Sequence, residues 1–163
     1  MSTATDWSVW MHAALEQAGA AEKMGEVPVG AVVLDSAGRF VATGHNSPIM
    51  SHDPTAHAEI VALRRAGLAV HNYRLPGSIL VSTLEPCIMC VGALVHARIA
   101  GVVFGARDPK SGALVSRMRF PDDYPWINHI FWIQEGICGQ ECENILSRFF
   151  RHRRSKLLIC KEL

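Results

Sequence analysis

His57-Ala58-Glu59 and, downstream, Pro86-Cys87-Ile88-Met89-Cys90 are the stretches around which the rest of the chain is built. They put an imidazole, a carboxylate and two thiols at the starts of two segments that read as helices. Cys87 and Cys90 are three apart, so on one helix both sulfurs face the same way. Both fall in a first turn, where the positive end of the helix dipole favours thiolate. His57 falls in the first turn of its own helix, so two helix starts can converge on one ion. One nitrogen and two thiolates suit tetrahedral zinc. With only three protein ligands, zinc keeps a position for water and lowers its pKa to about 7. Glu59 can then move a proton beside the metal. On a regular helix, however, i and i+2 point about 200° apart, so Glu59 reaches the metal only if its first turn is irregular. The rival reading of the same donors is a structural zinc closed by a fourth ligand, from Cys138, Cys142, Cys160 or another histidine.

The segments around these motifs alternate. Trp7, Trp10, Met11, Ala14, Leu15 and Ala18 recur at helical spacing and predict a first helix ending near Gly25, with its tryptophans in the core. Val27–Leu34 is apolar on both faces, as a buried strand is. Asp35-Ser36-Ala37-Gly38 turns the chain into a second strand over Arg39–His45, which Gly44–Pro48 closes as a loop. A helix is expected from about Ala56 to Gly67, capped by Thr55. A strand follows over Gly77–Ser82, then a helix opened by Pro86 and running to about Ala97. Gly101–Gly105 and His129–Gln134 read as further strands. Gly139 to about Lys156 reads as a final helix, with a break near Arg151, and 106–128 is the least regular stretch. Strands alternating with helices after a hairpin predict an α/β fold, a mixed sheet covered on both faces. No repeat or linker divides the 163 residues, so one domain over 1–163 is expected, with a basic C-terminal helix over about 148–161.

Composition narrows the setting. Apolar residues make up 49% of the chain, too many for a disordered protein. Five cysteines, two in C-x-x-C and none behind a secretory signal, fit metal binding in a reducing, cytoplasmic compartment better than a disulfide framework. No apolar run approaches the roughly 20 residues that span a bilayer, so no membrane association is expected. The net charge of +1 hides an asymmetry. Residues 1–63 carry two basic and seven acidic side chains, and residues 64–163 fourteen basic and eight acidic. A basic second half suits an anionic partner, and equally a solvated surface.

H-x-E followed by P-C-x-x-C is the zinc motif of the nucleobase deaminases. With it stand Glu26-Val27-Pro28-Val29-Gly30-Ala31, His52-Asp53-Pro54-Thr55-Ala56-His57-Ala58-Glu59, Asn72-Tyr73-Arg74-Leu75, Thr83-Leu84-Glu85-Pro86-Cys87 and Val103-Phe104-Gly105-Ala106-Arg107-Asp108-Pro109-Lys110. Together these blocks resemble the bacterial tRNA-specific adenosine deaminases over about residues 7–155. The resemblance implies a three-layer α/β/α fold on a five-stranded mixed sheet, and a homodimer. It implies one zinc per subunit on His57, Cys87 and Cys90, no organic cofactor, and Glu59 as general acid and base. The implied reaction is hydrolysis of the wobble adenosine of a tRNA anticodon to inosine, with zinc-bound hydroxide attacking C6. Asn46 and Leu84 are implied at the nucleoside, Asp108 and Lys110 along neighbouring nucleotides, and Phe149, Phe150, Arg153 and Arg154 at the anticodon loop. Read from the residues alone, the two phenylalanines fit a helix core and the arginines a solvated helix end equally well.

The chain departs from the family pattern over Phe120–Trp126, where Asp122 and Asp123 add negative charge, and Phe131 and Trp132 make the fifth strand bulky. A zinc deaminase of free bases or nucleotides, of guanine or cytosine type, needs the same centre without the basic tail. A non-catalytic zinc module that binds nucleic acid has no use for Glu59.

Overall fold

The computed structural model describes residues 5–159, with side chains to Ser155, so Cys160 and the end of the expected C-terminal helix lie outside the described residues. The element order is α1 (Trp7–Lys23), β1 (Gly30–Leu34), β2 (Phe40–His45), α2 (Pro48–Ser51), α3 (Ala58–Val70), β3 (Ile79–Leu84), α4 (Ile88–Ala97), β4 (Gly101–Ala106), β5 (Trp132–Glu135) and α5 (Gly139–Ile159). The strands form one sheet in the order β2-β1-β3-β4-β5. β1 runs antiparallel to both β2 and β3, whereas β3, β4 and β5 are parallel. The sheet is therefore mixed and five-stranded, as expected.

Both faces are covered, and strand periodicity shows how. Ala31 and Val33 of β1, Leu80 of β3, and Val102 and Phe104 of β4 pack with Ala58, Ala62 and Ala66 of α3 and Val91 and Leu94 of α4. The residues between them, Val32, Leu34, Val81 and Val103, pack with Met11 and Ala14 of α1 and Cys142 of α5. Alternate side chains on each strand thus feed opposite cores, which is why the sequences of β1 and β4 are apolar without interruption. Trp7 and Trp10, expected in the core, are partly buried at the border of the second one. Among the described residues no helix is long and apolar enough to cross a membrane.

Several boundaries move for identifiable reasons. α3 starts at Ala58 rather than Ala56, because Thr55 is drawn into a turn in which Asp53 accepts its N–H and hydroxyl. It runs past Gly67 and ends where His71 takes a left-handed conformation, φ 53°. α4 starts at Ile88, two residues after Pro86, with Cys87 as its cap residue. Pro48, read as the end of a loop, instead opens a short helix, Pro48–Ser51. β5 starts at Trp132, not His129, and α5 is continuous through Arg151.

The irregular stretch has a structural task. Parallel β4 and β5 need a crossover, and residues 107–131 supply it without a helix. Phe120 and Phe131 stack at 4.1 Å, Phe120 tilts against Tyr124 at 5.7 Å, and all three join the core on the α3/α4 side. The Tyr124 hydroxyl donates to Ala113 O at 2.7 Å, which pins the crossover. Asp123 accepts the Arg119 N–H at 2.7 Å, so this acid serves the local turn. Trp132 leans on Trp7 at 5.8 Å and its ring covers Gly101, where a Cβ would stand 2.1 Å from Cε2. Of the departures from the family pattern, Phe120, Tyr124 and Phe131 thus form a local core, whereas Trp126 is 72% exposed.

β2 holds α3 close through Gly44. A Cβ there would lie 2.4 Å from Ala58 O and 2.5 Å from Ala62 N. Gly44→Ala is expected to push the start of α3 away and destabilise the fold by about 1–3 kcal/mol. A lowered urea midpoint at unchanged slope is the expected readout; an unchanged midpoint would show that α3 shifts freely.

Candidate metal centre

The carboxyl ends of parallel β3 and β4 point to one rim of the sheet, the place where open α/β sheets bind ligands. β3 leads into Glu85-Pro86-Cys87 and β4 into Arg107-Asp108. Antiparallel β2 also ends there, because His45 pairs with Gly30 and the Asn46 N–H donates to Val29 O at 3.1 Å. Gly30 N–H in turn donates to the Thr83 hydroxyl at 3.1 Å.

His57 and Cys87 occupy the N-cap positions of α3 and α4 in extended conformations, φ −70° and ψ 153° for His57, φ −78° and ψ 173° for Cys87. Neither side chain caps its own helix, so both are turned to other use. Asn46 Oδ1 caps α3 instead, accepting the Ala58 N–H at 2.9 Å. Cys90, fully buried, completes a triangle. Cys87 Sγ and Cys90 Sγ lie 3.6 and 3.7 Å from His57 Nδ1 and 3.7 Å from each other. Tetrahedral zinc, with Zn–N about 2.05 Å and Zn–S about 2.3 Å, needs edges of about 3.6 and about 3.8 Å. The donor set therefore fits zinc in both chemistry and size. Among the described residues no fourth protein donor joins this group. Cys142 is buried in the opposite core, and Cys138 stands with His12 and Glu141 in a separate, largely exposed cluster. Cys138 and Cys142 therefore do not close the site, and Cys160 lies outside the described residues.

The electrostatics suit a cation. The hydrogen bond to Cys90, reinforced by His57, holds the Cys87 thiol down at about 4, against burial, which opposes ionisation. Cys90 is driven far the other way by its bond to Cys87 and by burial. The pair thus favours a thiolate on one sulfur, and metal binding requires both to be deprotonated. The Cys87 sulfur also holds the His57 pKa above its usual value, against burial.

Glu59 resolves the spacing difficulty. Because His57 lies outside the helix in extended backbone, the 100° rotation per residue does not separate the two side chains. Glu59 sits 3% exposed in the first turn of α3, and its carboxyl is coupled electrostatically to His57, Cys87 and Cys90. Burial pushes its pKa up to about 7, which suits a group that both takes and gives a proton near neutrality.

The expected nucleotide contacts divide between two surfaces. Leu84, Asp108, Lys110, Phe150 and Arg154 line one cleft of about 820 Å³, which none of the three zinc-donor residues lines. Phe149 and Arg153 turn to another face of α5, with Arg153 5.8 Å above the Phe149 ring and Glu22 and Gly25 alongside. Asp108 is largely occupied: its carboxylate accepts the N–H groups of Lys110 and Ser111 at 2.9 and 3.2 Å and the Ser111 hydroxyl at 2.6 Å. Two basic groups are neutralised locally, Arg107 by Glu135 at 2.6 Å and Arg148 by Glu22 at 2.7 Å. Sequence reasoning gave no role to Glu85, Glu26 or Thr83. Glu26 accepts the Met50 N–H at 2.9 Å, and both glutamates are 2% exposed. The legible signal was their placement inside otherwise apolar blocks next to the motif.

Residues 5–106 match the cytidine and deoxycytidylate deaminase zinc-binding region. The tRNA-specific adenosine deaminase of Haemophilus influenzae is 50% identical, over 94% of this chain and 88% of that protein. A structure solved in a study of A-to-I editing by tRNA deaminases at the wobble position superposes with a TM-score of 0.82 at 41% identity, covering 85% of this chain and 99% of that one. The chain belongs to the tRNA-specific adenosine deaminase family. Guanine deaminase from Bacillus subtilis is more distant, with a TM-score of 0.59 at 35% identity over 63% of this chain and 66% of that one. As a member of this deaminase family, the chain carries its zinc-binding domain with a His/Cys/Cys site fitted to one zinc per subunit.

Proposed function

We propose that this chain converts the wobble adenosine of a tRNA anticodon to inosine with release of ammonia, and does so in the cytoplasm. The observation that carries the reading is the three-donor triangle with Glu59 buried against it, in a chain 50% identical to a tRNA-specific adenosine deaminase. His57, Cys87 and Cys90 hold the zinc. Bound there, zinc supplies Lewis-acid chemistry that makes water reactive near neutral pH. Glu59 carries the water's proton to N1 of the adenine as oxygen adds at C6. It then takes the second proton from the hydroxyl added at C6 and gives it to the amino nitrogen, so that the C–N bond breaks, ammonia leaves and the C6 oxygen becomes the carbonyl of inosine. Water and adenosine thus give inosine and ammonia, with no redox change.

Asn46 spends its carbonyl on the Ala58 N–H, leaving its amide N–H groups to donate to the nucleoside. Lys110, Phe150 and Arg154, with Leu84 also in the lining, make an electropositive cleft with an aromatic wall, suited to splayed bases and phosphates. An anticodon loop already presents unpaired bases, which lowers the cost of extruding one to a few kcal/mol at most. Phe149 and Arg153 extend the contact to the far side of α5.

The subunit works as a homodimer in this reading. α3 and α4 flank a groove of about 890 Å³ lined by Ile60, Leu63, Leu68, Tyr73, Met89 and Ala93. Leu68 and Tyr73 are 76% and 71% exposed in the single chain, an apolar surface of the kind partners cover.

The deciding experiment is incubation with an anticodon stem-loop carrying adenosine 34, with free adenosine, guanine and cytidine as controls, and inosine read by mass. Conversion of the stem-loop alone is expected; turnover of guanine or cytidine instead would replace this reading with a free-base deaminase. Arg153→Ala with Arg154→Ala is expected to weaken stem-loop binding and to flatten its log–log salt slope by about 0.7–0.9 for each phosphate no longer neutralised, with zinc content unchanged. An unaltered slope would remove the two arginines from the RNA surface.

A further inference from the structure

Glu85 stands two residues before the zinc ligand Cys87 and is 2% exposed, yet no side-chain cation pairs with it among the described residues. Its charge is met instead by the loop that crosses the rim. Oε1 accepts the N–H groups of Leu114, Val115 and Ser116 at 3.0, 2.8 and 2.9 Å. Oε2 accepts the Asp108 N–H at 3.0 Å and the Ser116 hydroxyl. Five donors on two oxygens fill an ionised carboxylate's acceptor sites, and successive backbone N–H groups turned inward form an anion nest. Here the anion is the protein's own side chain, and what it organises is the loop.

The same loop is fastened to the ligand segment. Ala113 N–H donates to Pro86 O at 2.9 Å, and Cys87 makes an isolated antiparallel bridge with Gly112. A Cβ at Gly112 would lie 2.3 Å from Glu85 Oε2, so the approach needs glycine. At the other end Asp108 shapes the turn that presents Lys110. One carboxylate therefore joins the segment that holds the metal to the turn that lines the cleft.

We propose that Glu85 is a positioning residue for the nucleic-acid substrate, fixing the Asp108–Ser116 loop, and with it Lys110, in register with the metal centre. The inference rests on the reading of Lys110 as a nucleotide contact. Glu85 touches no reacting atom and acts through the loop. A purely structural role would lower stability and the folded fraction, but would leave KM of the folded enzyme unchanged.

The test is Glu85→Gln, which keeps the shape but turns an NH2 towards N–H donors. kcat and KM are measured on the adenosine 34 stem-loop, normalised to bound zinc. KM is expected to rise about tenfold, as loss of bonds to a charged acceptor predicts, while kcat falls less and zinc stays at one per chain. Adding Lys110→Ala is expected to raise KM no further, because the lysine has already lost its place. Unchanged KM, or full additivity of the two substitutions, overturns the proposal. Ser116→Ala removes one donor to the same carboxylate and carries the same test at about threefold, should Glu85→Gln fail to fold. Wild-type turnover of the stem-loop with KM unmoved in these variants sinks the role of Glu85 alone. Absence of wild-type turnover sinks the function beneath it.

Discussion

Glu59→Gln is expected to bind one zinc per chain and to release ammonia from the stem-loop about 10²–10⁴-fold more slowly than the wild type, the range lost with a positioned general acid or base. The isosteric amide fills the same buried volume, so the core around Ala58 and Ala62 keeps its packing. The ligands keep their geometry too, because His57 and Cys87 are held by the ends of α3 and α4. What the variant loses is a group able to accept a proton and give it back. Burial raises the Glu59 pKa, which helps the carboxyl take up a proton as well as give one; an amide does neither. Zinc content by mass spectrometry and ammonia release under single turnover separate the possibilities. Wild-type rates in the variant would remove Glu59 from the chemistry. Loss of zinc together with activity would make it a support of the ligand set.

That Glu59 reaches the centre could not be read from spacing, and the reason is instructive. The H-x-E interval is misleading only if both residues are helical. His57 is the cap residue, so the i, i+2 rule for helices does not bind it. The layers, by contrast, were legible. An unbroken apolar run such as Val102-Val103-Phe104 can be buried on both faces only in the middle of a covered sheet, and that is where β4 lies. Legibility fails where backbone groups are satisfied by side chains distant in sequence. Asn46 stands in the loop that closes β2, yet it caps a helix twelve residues on. Glu85 has no role in the sequence reading, yet its bonds run to residues 108–116. Phe120, Tyr124 and Phe131 read as departures from a family pattern, yet they pack on one another because a crossover without a helix still needs a core. The tail divides for a simpler reason. Phe149 and Phe150 are neighbours on a helix and point about 100° apart, so an adjacent pair cannot serve one cleft.

Cys90→Ser is expected to lose zinc at stoichiometric loading and, with it, deaminase activity down to background, while remaining folded. The hydroxyl is close to the thiol in shape but does not ionise near neutrality, and only a deprotonated sulfur is a strong zinc ligand. The remaining pair, His57 and Cys87, offers two donors where a catalytic zinc takes three. Folding survives because both cores are apolar and independent of the ion: Leu80, Leu94 and Val102 on one face and Met11, Val32 and Val103 on the other. The fold and the metal can therefore be separated by heat. At a hundredfold excess over Kd, zinc should stabilise the wild type by about 2.7 kcal/mol, which raises Tm by about 5–11 °C for a chain of this size. Cys90→Ser should show no such rise, and its Tm should fall near that of chelated wild type, less the cost of a buried hydroxyl. If chelation instead unfolded the wild type outright, zinc would be holding the chain together, and the three-donor site would belong to a structural ion. If Cys90→Ser kept both zinc and activity, the triangle of His57, Cys87 and Cys90 would not be the centre, and the roles given to Glu59 and Glu85 would fall with it.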